Sequence, residues 1–432
     1  MSRIIHVFSR IWLLGTRVLA GELSLMKSLG TSKFRKIFTD SIISIVALVI
    51  MNLALQFVVY PFWKKSYGTD VYGGIVYVMS FVNIFGVAVG SAVNYARMVE
   101  SGKRDTKGSD YLSVVAVLGT LGCIVTFFAA FLGKAGMNAV EALLAGLLCF
   151  LTVLRFYGDV EYRLRINYKG YFIYYLLVSI GYGAGLVLVM VTDIWPLALI
   201  PGEVLGLLYV KVRGNVLSAK LFDTGDFFRE NLHTMTLLIA TNLISNLIFN
   251  GDRLLLMNLV GASAVTTYYI ASLVGKTMTL ITTPLNSVII GYLARFKGDF
   301  DRKLVGILFA MTFGAIVVFS LLSVPGSYVI VYFLYREDLD LVKKYFLIAG
   351  AAQVIYFVSN VVTTVLLKLA KADYQLKINI AYGIVFLVLC IPAAYFYKIA
   401  GFCVAILVVN AARYIMAIGL CYKSASCSNR VG

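Results

Sequence analysis

The sequence predicts an all-α membrane protein, twelve transmembrane helices in two six-helix lobes related by pseudo-two-fold symmetry around a central cationic cavity. Three observations predict it. The 432 residues are 60% hydrophobic and 14% charged, whereas soluble domains are about half apolar and a membrane span needs ~20 apolar residues. The apolar runs number twelve, at about 40–61, 71–97, 111–132, 139–157, 170–191, 193–211, 232–257, 263–292, 303–323, 343–367, 374–396 and 400–421. Three of these runs hold a lysine or arginine that bare lipid would not tolerate, and such residues face a bundle interior or water.

Charge sets the orientation. Of 38 Lys and Arg, seven (Lys64, Lys65, Lys134, Arg336, Lys343, Lys344, Lys398) lie on one side and three (Arg253, Lys276, Arg413) within spans, leaving 28 on the side of both termini. The positive-inside rule puts both termini in the cytoplasm. The net charge of +17 is therefore read as topology and as attraction for anionic lipid heads, not as a nucleic-acid footprint. Six scattered cysteines (Cys123, Cys149, Cys390, Cys403, Cys421, Cys427) show no ligand spacing, and two histidines (His6, His233) leave no basis for a His-based metal site or triad.

Residues 1–36 mix seven cations with Ile, Leu, Val and Trp12, as an interfacial or cytoplasmic extension would. A lobe follows at 37–211. Its first span ends at Tyr60-Pro61-Phe62, and the outer turn Tyr67-Gly68-Thr69-Asp70 leads to a second span ending at Asn94-Tyr95-Ala96-Arg97. The seventh and eighth spans repeat this layout: Gly261 matches Gly68 at an offset of 193, and Tyr292-Leu293-Ala294-Arg295 echoes Tyr95-Ala96-Arg97 about five residues out of step, around Pro284. A parallel repeat implies lobes related by an axis along the membrane normal. The linker is 212–231, the second lobe 232–422 and the tail 423–432. The cluster Arg155, Asp159, Glu161, Arg163, Arg165, Lys169 between spans four and five reads as a solvated cytoplasmic loop or as a first landing place for an anionic substrate arriving from inside.

Polar stripes mark the cavity. Asn242, Asn246, Asn250 and Arg253 fall at about 0°, 40°, 80° and 20° on span seven. On span eight, Tyr269, Ser272, Thr283 and Ser287 lie within roughly 40° of Lys276. On span ten, Asn360 and Thr364 lie within ~20° of Gln353. Lys276 sits ~20 Å along its helix, near mid-bilayer, where burial costs at least ~2.5–3.5 kcal/mol. A structural ion pair or an anionic ligand can offset that cost. Asp252 points ~100° from Arg253, which leaves it to orient another cation, to hold a coupling ion or to serve as a plain helix-end residue. Glu203 and Arg413, deep in spans six and twelve, each require a partner or water. Gly275-Lys276-Thr277 resembles the end of a phosphate-binding loop, but position 270 is Ile rather than Gly and the triplet lies in an apolar helix, which argues against ATP drive.

Several segments resemble the polysaccharide-export branch of the multidrug/oligosaccharidyl-lipid/polysaccharide (MOP) exporter superfamily, the Wzx-type flippases. They are Tyr67-Gly68 through Tyr72-Gly73, Asn250-Gly251-Asp252-Arg253-Leu254-Leu255-Leu256 with Gly261 and Tyr268-Tyr269-Ile270-Ala271, Leu366-Leu367-Lys368-Leu369-Ala370-Lys371, and Ile399-Ala400-Gly401-Phe402-Cys403-Val404-Ala405. The resemblance spans about 33–422. It implies a two-lobed transporter of the bacterial inner membrane, not an enzyme, that moves an undecaprenyl-diphosphate-linked oligosaccharide outward by alternating access. Arg253, Lys276 and Arg413 would meet the diphosphate. Asn242, Asn246, Asn250, Gln353 and Asn360 would line the sugar path. No cofactor is expected; proton or sodium coupling would run through Asp252 or Glu203. A polysaccharide polymerase and glycosyltransferases would be partners, with membrane lipids. One rival is a cation-coupled multidrug antiporter of the same superfamily, which should centre carboxylates in its cavity. Another is a membrane-embedded glycan polymerase or transferase, for which the longest outer connection (about 324–342, with Glu337, Asp338 and Asp340) offers no catalytic pattern.

Overall fold

The computed structural model describes residue 43 and residues 46–277, 302–369 and 373–428. The extension 1–36, the Thr283–Ser287 part of the second stripe, the echo at 292–295 and the end of the tail lie outside the described residues. Helix covers most of the described part of each predicted apolar run, except that the run at 193–211 opens with a non-helical stretch and the 3-10 turn Trp195–Ala198 before its helix starts at Ile200. The elements are α1 (Val46–Ser101), α2 (Gly108–Phe131), α3 (Ala139–Gly158), α4 (Tyr168–Thr192), α5 (Ile200–Arg213), α6 (Phe228–Leu259), α7 (Ala262–Thr277), α8 (Arg302–Leu334), α9 (Phe346–Leu369) and α10 (Asp373–Ser428). Among the described residues eight helices, the kinked α1 and α10 among them, are long and apolar enough to cross a membrane. Large apolar side chains such as Val191, Phe333 and Tyr397 stand exposed, as lipid-facing residues do.

Local chemistry explains the breaks. Gly68 breaks α1 with φ 73°, and Gly261 parts α6 from α7 at φ 126°, so both glycines matched in the sequence use a conformation that L side chains rarely adopt. Lys398 does the same for α10 at φ 54°. At the start of α3, Asn138 and Glu141 cap each other's backbone N–H groups. Two π-helical stretches, Leu55–Val59 and Gly86–Gly90, interrupt α1.

Residues 46–213 pack among themselves, as do 262–277 with 302–428, and the two groups meet through α1 against α6 and α7. On the side of the Gly68 and Gly261 turns they share one core, in which Tyr60 stacks on Tyr269 at 5.1 Å and Trp63 meets Trp195 at 5.4 Å. Lys64 and Asp338, both buried, pair across the groups at 2.9 Å. Gly73 lets the backbones touch: a Cβ there would lie 2.1 Å from the Ala262 carbonyl oxygen. On the linker side the core divides in two. One part joins α1–α3 to Met235 and Ile239 of α6, and the other joins α8, α9 and α10.

The charge cluster 155–169 is not a plain solvated loop. Arg155 is buried in α3, its Nε donating to Glu203 Oε2 at 2.6 Å. Asp159 accepts from Tyr175 at 3.0 Å and pairs with Arg163 and Asn94. The i, i+4 spacing of Arg155 and Asp159 continues the helix inward, so these charges meet partners rather than water. Glu161 accepts the Asn215 and Val216 N–H groups at 2.9 Å, and Asp110 accepts Gly225 N–H at 2.8 Å, strapping the linker to the first group.

Candidate functional site

Between α1, α6 and α7 lies a cavity of about 240 Å³. Its polar lining comes from both groups: Asn52, Gln56 and Asn83 on α1, Asn246, Asn250 and Arg253 on α6, and Lys276 and Thr277 on α7. Both π-helical stretches of α1 reach it, through Gln56 and Val87. Such bulges rotate side chains out of the helical repeat and recur at functional sites.

The two cations are held differently. Lys276 Nζ donates to Asp252 Oδ2 at 2.5 Å and lies 5.5 Å from the Phe249 ring centre. Asp252 Oδ1 accepts the Arg253 backbone N–H at 2.8 Å. The ~100° between Asp252 and Arg253 thus turns the carboxylate to the neighbouring helix. The structural-pair alternative for Lys276 is the one the structure contains, and the same lysine lines the cavity. Arg253 forms no ion pair among the described residues. Its guanidinium lies 5.0 Å from the Tyr269 ring centre, one nitrogen reaches Asn250 Oδ1 at 3.4 Å, and the buried Nε finds no protein acceptor there. A buried guanidinium with unused donors is a strong attractor for an anion, because each unsatisfied charged donor costs stability until it is met.

Not every residue of the predicted stripes lines this cavity. Asn242 lies one turn farther along α6, where its carbonyl accepts from Asn246 at 2.9 Å. Gln353 lines a small neighbouring recess with Asp252, Tyr382 and Asn410, and donates to Tyr268 at 3.1 Å. Arg413 turns to Asn360 Oδ1 at 2.8 Å and to the Tyr356 carbonyl at 3.3 Å, lying 4.7 Å from the Tyr356 ring centre. Arg413 and Asn360 therefore bond to each other, and the buried Arg413 Nε, like that of Arg253, finds no acceptor among the described residues. Glu203 uses its two oxygens on Arg155 and, at 2.8 Å, on Tyr182. The α1 wall was missed from sequence. Asn52 and Gln56 stand four apart in an apolar span, the same signal as the α6 stripe.

No protein-family model matches the chain, and no curated protein is significantly similar to it. Solved structures are. An inward-facing structure of a multidrug resistance MATE family transporter of the MOP superfamily aligns with TM-score 0.63 and 15% identity over 90% of this chain and 99% of that one. The lipid II flippase MurJ in an inward closed conformation aligns with TM-score 0.66 and 13% identity over 90% and 89%. The Vibrio cholerae MATE transporter VcmN in its bent form gives 0.61 and 14% over 92% and 98%. At these identities the likeness shows the fold. This multi-pass helical membrane protein has the fold of these solved transporters.

Proposed function

We propose that the chain is a lipid-linked oligosaccharide flippase, moving undecaprenyl-diphosphate-linked glycan units across the bacterial cytoplasmic membrane for surface polysaccharide export. The lobes 37–211 and 232–422 rock about the linker 212–231, with both termini cytoplasmic. The observation that carries the reading is Arg253, buried without an ion pair among the described residues and beside Lys276, in a cavity whose other polar lining is mostly amides. A diphosphate leaving the headgroup region needs cations, the sugars need amides and hydroxyls, and the prenyl tail stays in lipid.

Arg253 and Lys276 hold the diphosphate; Asn246 and Asn250, with Asn52, Gln56 and Asn83 opposite, meet the sugars. Phosphate oxygens take the place of Asp252 at Lys276, and the released Asp252 then carries the coupling proton or sodium ion. Asn242, Asn360, Gln353 and Arg413 extend the path as the lobes move. Glycosyltransferases that build the unit and a polymerase that consumes it are the partners. The rival multidrug antiporter rests on the same fold and on Asp252 as a site for a cation.

Reconstitution decides between them. Liposomes holding the protein and a glycan-labelled polyprenyl-diphosphate oligosaccharide should expose the label to an external glycosidase, and Arg253→Ala should abolish that exposure. Absence of flipping together with ion-driven efflux of a cationic dye would replace this reading by the antiporter.

A further inference from the structure

A second concavity lies on the first group and shares no lining residue with the cavity. It has a volume of about 460 Å³ and runs between α2, α3 and α5, lined by Ala116, Leu154, Leu208 and their apolar neighbours. The linker supplies its remaining wall through Leu217 and Leu221. One charged residue lines it: Lys211, at the linker end of α5, exposed and without an ion pair among the described residues. Lys220, also exposed, sits between the lining residues Ala219 and Leu221.

The geometry points to a site for one anionic phospholipid in the leaflet on the linker side. Its acyl chain fills the groove, and its phosphate meets Lys211 with Lys220 beside it. The chemistry is that of a snorkelling lysine above an apolar slot: the ammonium stays at headgroup level while the slot below can take only hydrocarbon. A similar groove near the Lys398 kink, of about 490 Å³, is lined by Ala393, Tyr397, Val404 and other uncharged residues, so it offers no choice of headgroup. The linker is strapped by Glu161 and Asp110, so a lipid held here packs against a fixed wall.

The test is native mass spectrometry of the full chain with phosphatidylglycerol or phosphatidylcholine of identical chains. The unaltered protein should retain phosphatidylglycerol preferentially. Lys211→Gln should lower that preference on the order of fivefold, the worth of one lysine near an anionic head. Ala116→Phe, which fills the slot, should lower retention of both lipids, and Val204→Trp supplies a second filling variant should the first not fold. Equal retention of the two lipids by the unaltered protein overturns the site, and so does native retention by either Lys211→Gln or a folded slot-filling variant.

Discussion

Lys276 and Asp252 can be replaced singly and together, and the three outcomes separate a structural pair from a cargo-binding lysine. Both are buried, at 9% and 3% exposure, and they meet at 2.5 Å. Removing one partner of a buried pair leaves an uncompensated charge and costs about 3–5 kcal/mol, a large share of the roughly 5–15 kcal/mol that holds a folded domain. Lys276→Met or Asp252→Leu alone should therefore unfold at markedly lower temperature. The double variant exchanges the pair for apolar groups of similar volume, which is neutral to stabilising, so its melting temperature should return to native. Transport should not return, because the ammonium that meets the diphosphate is gone. Thermal unfolding in detergent gives the first quantity, and glycolipid translocation in liposomes gives the second. A double variant that melts and transports as the native protein does would refute the cargo role and leave the pair purely structural.

Arg253→Met should leave the melting temperature unchanged or raised, since a desolvated cation without an ion pair among the described residues costs stability, while translocation is abolished; a drop of several degrees would make Arg253 structural. Lys64→Gln breaks the buried 2.9 Å bridge to Asp338 that closes the turn side. A cysteine placed at Gln56 should then react at least about tenfold faster with an impermeant maleimide added from outside, as a ~1.4 kcal/mol loss from the closed state gives, and unchanged labelling would count against this closure. Gly73→Leu drives a Cβ to 2.1 Å from the Ala262 carbonyl; the strain of about 1–3 kcal/mol should lower the melting temperature and halt translocation, and native behaviour in both assays would show the contact to be slack.

What the sequence makes legible is what one helix can carry. Apolar runs mark the helices, and the 3.6 period on α6 brings Asn246, Asn250 and Arg253 to one wall of the cavity, with Lys276 beside them. What it hides is which helices become neighbours. The Asp252–Lys276 pair joins α6 to α7, and spacing along α6 alone says nothing of it. Lys64 counts as an outer-loop cation until Asp338, far along the chain, buries it. Arg155 reads as loop because charges crowd around it, yet α5 brings Glu203 to it. Arg413 and Asn360 lie on separate helices, α10 and α9, and their mutual hydrogen bond cannot be read from either helix alone.

The choice between an anionic glycolipid and a cationic drug turns on the sign of the field in the cavity. Arg253 and Lys276 line it, while Asp252 lines the recess behind Lys276. A monocation held ~6 Å from Arg253 is opposed by about 3 kcal/mol at an effective dielectric of 20, roughly a hundredfold in affinity. A diphosphate gains from the same charge, and gains again at Lys276 when it displaces Asp252. A cationic drug could use Asp252 only by expelling Lys276, which would leave a second positive charge buried beside Arg253. The wall that favours one cargo therefore penalises the other twice. Neutralising Arg253 should accordingly weaken an anionic cargo and relieve a cationic one, so the same variant moves the two rival activities in opposite directions.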